Sequence, residues 1–306
     1  MLSQFKRFLP SNLIGFLQKY RYTYLLSNNR YIKAIKGVTL EVSDICNLHC
    51  PMCGIPEIKR TKGLMSYEDF CTIAHKLPSD LKMLKLTYAG EPLLNSDIFK
   101  MIRYYRQING SAWIRISTNG TRLQHFSPDD ILNSGVSQID IAIEGATAST
   151  HQAYRRGSDF ESICQNVKKL CVRKKELKLN KPLIVQMTLL SKNAGRELND
   201  IKLLAKNLGV DELHLRYMAI PGLGKKDSDL KDSVYSYLDK DERNRWIDEF
   251  LPDPPYSLYD KSGTDYIISK EVPHCGSFLT PIIYFNGDVS VCCFDGEGQH
   301  VFWQSH

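Results

Sequence analysis

The stretch Val38-Thr39-Leu40-Glu41-Val42-Ser43-Asp44-Ile45-Cys46-Asn47-Leu48-His49-Cys50-Pro51-Met52-Cys53 decides the reading of this chain. Its first part alternates apolar and polar side chains, the period-two pattern of a β-strand. Its second part sets three cysteines in one short loop, as Cys46-x-x-x-Cys50-x-x-Cys53. Three thiolates can bind a [4Fe–4S] cluster and leave its fourth iron without a protein ligand, whereas such clusters ordinarily take four cysteines. A site one ligand short can accept a substrate or cofactor, as an open catalytic metal site does. Zinc is the rival, because His49 can complete a Cys₃His set with Cys46, Cys50 and Cys53. Structural zinc sites, however, usually pair two short knuckles, and no second Cys/His pair lies nearby. Disulfides fit poorly: nine cysteines is an odd number, and no secretory signal precedes them.

Outward from this stretch, short apolar runs alternate with amphipathic ones. Strands are expected over 38–43, 82–88, 112–117, 138–143, 183–189 and 211–217, with helices between them. Ser66 and Asp69 form a capping-box-like start before Phe70, Ile73, Ala74 and Leu77. Ser127-Pro128-Asp129-Asp130 has the cap and first-turn proline of a helix start. Leu198, Ile201, Ala205 and Leu208 make an apolar face that ends at Gly209. Repeated strand–helix units imply a parallel sheet with right-handed crossovers. Strands buried on both faces would be almost continuously apolar. These instead carry polar residues at alternate positions, such as Arg115 and Ser117, Asp140, Gln186 and Thr188, and His214 and Arg216. One face of the sheet, the lumen of a barrel, is therefore expected to be polar.

Composition sets the outer bounds. The chain has 306 residues, 42% hydrophobic and 24% charged, an ordinary globular make-up. No apolar run reaches the ~18 residues needed to span a bilayer. Thiolates kept for a cluster imply a reducing, cytoplasmic setting. The net charge of +6 is uneven. The first 36 residues contain Lys6, Arg7, Lys19 and Arg21 among other basic residues, no Asp or Glu, and an apolar stripe from Phe5 to Tyr20. Such a segment can lie on an anionic membrane surface, but packing on its own domain is the commoner solution and is expected here. A second basic run, Lys168 to Lys181, is expected to be a solvated helix face and not a nucleic-acid site.

The run Cys46 to Cys53 resembles the signature of radical S-adenosylmethionine (SAM) enzymes. That resemblance implies a partial (β/α)₆ parallel barrel of the α/β class, with cofactors a [4Fe–4S] cluster and SAM. It also implies cleavage of SAM by a cluster electron to methionine and a 5′-deoxyadenosyl radical, and an electron donor such as flavodoxin or ferredoxin. Cys46, Cys50 and Cys53 would bind the cluster. Met52 stands where the family usually has an aromatic residue on the adenine. Thr87-Tyr88-Ala89-Gly90-Glu91-Pro92 is similar to the Gly-Gly-Glu-Pro motif that bonds the methionine amino group, with Ala89 for the first glycine. Ser117-Thr118-Asn119-Gly120 resembles the Thr-Asn-Gly motif beside SAM. Ile141-Ala142-Ile143-Glu144-Gly145-Ala146 looks like the Ser-x-Asp-Gly-Ala run, with Ala142 for Ser and Glu144 for Asp. Arg155 is the candidate for the SAM carboxylate.

Cys275, Gly287 and Cys292 resemble the opening of a SPASM or twitch extension, which binds auxiliary clusters. Cys275, Cys292 and Cys293 fall short of a four-thiolate set, so one cluster and an incomplete extension are expected. Asn286-Gly287 between apolar runs signals a type I′ hairpin. Cys71, Cys164 and Cys171 are assigned to helix cores. The expected organisation is a basic segment at 1–36, the barrel at 37–220, a linker and helix at 221–274 and the extension at 275–306. Glu41, Gln186, His214 and Arg216 are the candidate catalytic, substrate-facing residues. A small-molecule or sugar-like substrate is favoured over a peptide, because about 36 residues before the first strand are too few for a separate recognition domain. A non-catalytic zinc or iron–sulfur binding protein is the alternative of a different class.

Overall fold

The computed structural model describes residues 35–218, 235–251 and 280–291, and the backbone of 259–262, 265–268 and 301–303. The basic N-terminal stripe and Cys275, Cys292 and Cys293 lie outside these residues.

Six parallel strands follow in chain order: β1 (Gly37–Leu40), β2 (Met83–Lys85), β3 (Trp113–Thr118), β4 (Gln138–Ala142), β5 (Leu183–Leu189) and β6 (Glu212–Arg216). The expected α/β architecture is the one found, and strands β1 to β6 lie side by side in sequence order, without closing into a ring among the described residues. The helices that alternate with them are α1 (Tyr67–Lys76), α2 (Ile98–Ile108), α3 (Pro128–Leu132), α4 (Ala148–Tyr154), α5 (Phe160–Glu176), α6 (Lys192–Arg196) and α7 (Leu198–Leu208). Their starts are chemical. Ser66 accepts the Asp69 amide at 3.0 Å to open α1, and Ser127 accepts the Asp130 amide at 3.0 Å to open α3. Gly209 ends α7 at φ 78°, the left-handed conformation a glycine C′ residue adopts at least cost.

Strand register sorts the two faces of the sheet. Ile114, Ile116, Ile139, Ile141 and Ile184 turn toward the helices and build the main core with Phe70, Ile102, Tyr105, Ile163 and Val167. The opposite, lumen face carries Lys85 beside Arg115, Arg115 beside Gln138, and Ser117 beside Asp140. The polar lumen expected from the alternation is therefore present. Gln186 is an exception, together with Thr188, which shares its face and is also fully buried. Gln186 pairs in register with Ile141 and follows Ile184 by two residues, so it points to the helix side, where it is fully buried. Alternation alone marked it as polar without fixing its face.

Beyond the barrel strands, α8 (Lys240–Glu249) follows, then β7 (Tyr259–Ser262) and β8 (Asp265–Ile268), a separate antiparallel pair. A hairpin of β9 (Ile282–Ile283) and β10 (Val289–Ser290) joins the main sheet at β1, and β11 (Val301–Trp303) adds to β10. Its turn is not type I′, which needs two successive positive φ values. Only Gly287 has one, 89°, and the turn closes by a bond from the Gly287 amide to the Tyr284 carbonyl at 2.9 Å. The basic run of α5 is also not wholly solvated. Lys174 is buried, and its ammonium holds Asp211 at 2.6 and 2.7 Å while Asp211 accepts the Ile184 amide. Of the helix cysteines, Cys171 is buried, and Cys71 and Cys164 are half-buried.

Candidate active site

The cysteine loop leaves the C-terminal end of β1 and is tied down by the ends of the neighbouring strands. The Gly90 amide donates to the Ser43 carbonyl at 3.2 Å and the Glu91 amide to the Ile45 carbonyl at 2.8 Å. That approach explains why residue 90 is glycine while residue 89 can be alanine. A Cβ on Gly90 would lie 2.5 Å from the Ile45 carbonyl oxygen and 2.6 Å from that of Ser43. Asn95 adds a second strap, its amide donating to the Val42 and Met65 carbonyls at 3.0 and 2.9 Å.

Cys46 and Cys53 are half-buried and Cys50 is buried. Burial pushes all three thiols above the ordinary cysteine range, and each is further raised by the charge of another of the three. Donors converge on the sulfurs. The Leu48 amide meets Cys46, the Ile55 amide meets Cys53, Asn119 Nδ2 lies 3.8 Å from Cys46 Sγ, and Arg155 Nη1 lies 3.8 Å from Cys50 Sγ. Among the described residues no three His, Cys, Asp or Glu converge as ligands of a single metal ion, and His49 is exposed. The Cys₃His zinc reading thus finds no assembled ligand set among the described residues. A cluster spreads its irons over a larger body and favours N–H donors on its sulfurs, and the three thiols with their donors fit it.

The remaining expected site residues fall into three groups. Asn119 stands at the cluster loop, bonded to Asn47 Oδ1 at 3.1 Å and held by Thr121. Ser117 donates to Asp140 at 3.1 Å on the lumen face, where Asp140 also pairs with Arg115. Glu144 and Arg155 are partnered with each other at 2.6 Å, beside Cys50. A second group is committed to the scaffold. Both oxygens of Glu91 accept protein donors, from Thr118, Asn119 and Leu93. Both oxygens of Glu41 meet Arg60, at 2.7 and 2.8 Å, and Glu41 is fully buried, so it does not face a substrate as expected. Met52 is buried, with φ 60°, in an apolar cluster with Leu48, Cys50, Tyr154, Trp246 and Phe250. The third group sits on the edge strand β6: His214 pairs with Glu212 at 2.6 Å, and Arg216 is exposed. Ala89 is half-buried at the mouth of the loop.

The profile of the Radical SAM superfamily matches residues 40–188, which span the cysteine loop and strands β2 to β4 with most of β5. Residues 40–188 are thus similar to the radical SAM superfamily. This likeness supports an enzyme, and the cofactors of that superfamily are a [4Fe–4S] cluster and SAM. Among curated relatives, Molybdenum cofactor biosynthesis protein 1 of Bos taurus is 25% identical over 268 residues, 83% of this chain and 41% of its own length. A GTP 3′,8-cyclase of Clostridium botulinum (strain Hall) is 26% identical over 204 residues, 65% of this chain and 61% of its own. This chain therefore spans under half of the first relative and about three fifths of the second. Streptococcus suis SuiB bound to S-adenosylmethionine shares the fold at TM-score 0.59 and 15% identity, covering 96% of this chain and 69% of SuiB. The curated relatives are named for molybdenum cofactor biosynthesis and GTP cyclisation, not for the SPASM or twitch type expected from the C-terminal cysteines.

Sequence reasoning missed several residues that build this site. Arg60 and Asn95 carry no local motif, and only their loop position hints at a strap. His151 accepts the Glu144 amide at 3.0 Å through Nδ1. Tyr237 donates to the Cys53 carbonyl at 2.6 Å from a segment outside the matched domain. No helix among the described residues is long and apolar enough to cross a membrane.

Proposed function

We propose that Cys46, Cys50 and Cys53 hold a [4Fe–4S] cluster and that the enzyme cleaves SAM reductively to abstract hydrogen from a small-molecule substrate. Held by these three thiolates, such a cluster would supply the one-electron reducing chemistry for SAM cleavage, with a flavodoxin- or ferredoxin-like protein as its electron donor. The observation that carries this reading is the triad itself: three thiols in one loop at the C-terminal ends of parallel strands, with N–H donors from Asn119 and Arg155 on two of them. Strand ends on that side are where ligands of open α/β sheets bind.

In this reading Ala89, Gly90, Ser117, Asn119 and Glu144 frame SAM, with Met52 forming part of the apolar floor. Glu91 and Asn95 hold that frame in place. His214 and Arg216, on the lumen side of β6, face the substrate; Gln186 and Glu41 do not. The chain's own contribution is to orient the substrate hydrogen and exclude water. The small-molecule class is supported by the curated relative named GTP 3′,8-cyclase. A peptide substrate is the second reading. SuiB bound to precursor peptide SuiA shares the fold at TM-score 0.57 and 13% identity. A SPASM- or twitch-like extension at Cys275, Cys292 and Cys293 remains part of the proposal, with a single cluster per chain expected.

Anaerobic reconstitution tests the reading. The wild type should hold about four irons per chain and release 5′-deoxyadenosine from SAM under reduction. Replacing Cys46, Cys50 and Cys53 together by Ala should abolish both. Iron unchanged in the triple variant, or a fully loaded wild type that makes no 5′-deoxyadenosine, would overturn it.

A further inference from the structure

Arg155 closes α4 and begins the turn to α5, and its guanidinium is placed by several contacts. Its Nε and Nη2 both donate to Glu144 Oε1, at 3.1 and 2.6 Å. Glu144 Oε2 in turn accepts the Leu189 amide at 2.6 Å, and the Glu144 amide donates to His151 Nδ1 at 3.0 Å. The guanidinium carbon lies 5.4 Å from the centre of the Tyr154 ring. The backbone is fixed as well: the Arg155 amide bonds the His151 carbonyl at 2.8 Å, and the next residue's carbonyl accepts the His49 amide of the cysteine loop at 3.1 Å. The remaining nitrogen, Nη1, lies 3.8 Å from Cys50 Sγ.

The sequence assigned this arginine to the SAM carboxylate. A bidentate grip uses two parallel N–H groups of the fork, and the Nε–Nη2 edge is taken by Glu144. What is left is a rigid cation with three N–H groups, one on Nη2 and two on Nη1, and Nη1 is the nitrogen beside Cys50.

We infer that Arg155, oriented by Glu144, is a positioning residue for the iron–sulfur cluster that sets its reduction potential through Cys50. The inference rests on the cluster reading above. Reduction adds one negative charge to the cluster, so a fixed cation and an N–H donor beside a ligand sulfur favour the reduced state and raise the potential. Glu144 offsets part of that charge.

The test is the midpoint potential of the cluster, followed by electron paramagnetic resonance in SAM-free reconstituted protein, with iron per chain measured in parallel. Arg155→Gln should lower the potential. Glu144→Gln, which leaves the cation unneutralised, should raise it. Arg155→Lys, keeping charge without the fork, should fall between Arg155→Gln and the wild type. That order supports the inference. Full iron content with the wild-type potential in Arg155→Gln overturns it, and a loss of SAM affinity alone in that variant returns Arg155 to the carboxylate. If Arg155→Gln fails to hold iron, Glu144→Gln decides: an unchanged or lowered potential overturns the inference. A wild type without iron would defeat the cluster reading itself, a result the iron count separates from the others.

Discussion

The Glu91 carboxylate at the end of the β2 segment accepts the backbone N–H of Asn119, just past β3, across 2.7 Å. Its other oxygen accepts Thr118 Oγ1 at 2.6 Å and the Leu93 amide at 3.0 Å. A residue expected on the cofactor thus stitches two strand ends together, and Asn119 reaches Cys46 from that stitch. Glu91→Ala would leave buried donors unpaired, at roughly 1–3 kcal/mol for each. We expect a loss of about 3 kcal/mol in Glu91→Ala, and about 1 kcal/mol in Glu91→Gln, which keeps one acceptor. Urea midpoints measure both. Equal stability of Glu91→Ala and wild type would show that the stitch carries no weight.

Two glycines near the cluster loop should behave oppositely. Gly90→Ala puts a methyl into the carbonyls of Ser43 and Ile45, and backbone oxygens cannot swing aside. The expected cost is about 3 kcal/mol, at the upper end of overpacking effects, with loss of cluster binding. Gly54 follows Cys53 directly, has φ −75°, and has nothing within 4 Å of an added Cβ. Gly54→Ala should keep full iron content and wild-type stability. Iron analysis of the two variants side by side checks the contrast.

Arg60 joins the cysteine loop to the C-terminal hairpin. It meets Glu41 at 2.7 Å and Asp44 at 3.0 Å, both fully buried carboxylates, and lies 4.4 Å over the Tyr284 ring. Removing the cation leaves buried charges uncompensated, which typically costs about 3–5 kcal/mol. Arg60→Ala should lower the urea midpoint accordingly, and Arg60→Met, which keeps the apolar contact with Tyr284, should recover little. Recovery to the wild-type midpoint in Arg60→Met would mean that packing, not charge, holds the hairpin.

The strands were legible because each buries one face and exposes its polarity pattern on the other: β5 was placed at 183–189, as found. The cysteine triad was legible because its chemistry is local, carried by spacing within one loop. What the sequence concealed were partnerships across the chain. Glu41 and Arg60 are 19 residues apart, and Glu91 and Asn119 are 28 apart. A carboxylate free to meet substrate and one already bonded read alike in one dimension. Gln186 was misplaced for a related reason. Period two says that neighbours differ in face, but only Ile141 and Ile184 around it show which face is the core.

His151 makes a prediction about pH. Its imidazole is fully buried between the Glu144 amide and the Phe160 ring, 5.4 Å away. Burial, and then the charge of Arg155, lowers its pKa from 6.5 to about 4. The ring is therefore neutral at pH 7 and accepts through Nδ1. In the unfolded chain the same residue takes a proton near its ordinary pKa of about 6.5. The unfolded state then binds more protons between the two values, so stability falls as pH drops from 6.5 toward 4 and is fully present above 6.5. A shift of that size amounts to about 3 kcal/mol at most. In His151→Asn, whose side-chain oxygen can still accept the Glu144 amide, the part of the acid-side slope due to residue 151 should vanish. Denaturant unfolding at pH 7.5, 6, 5 and 4.5 reads this directly, and parallel curves for variant and wild type across that range would refute the assignment.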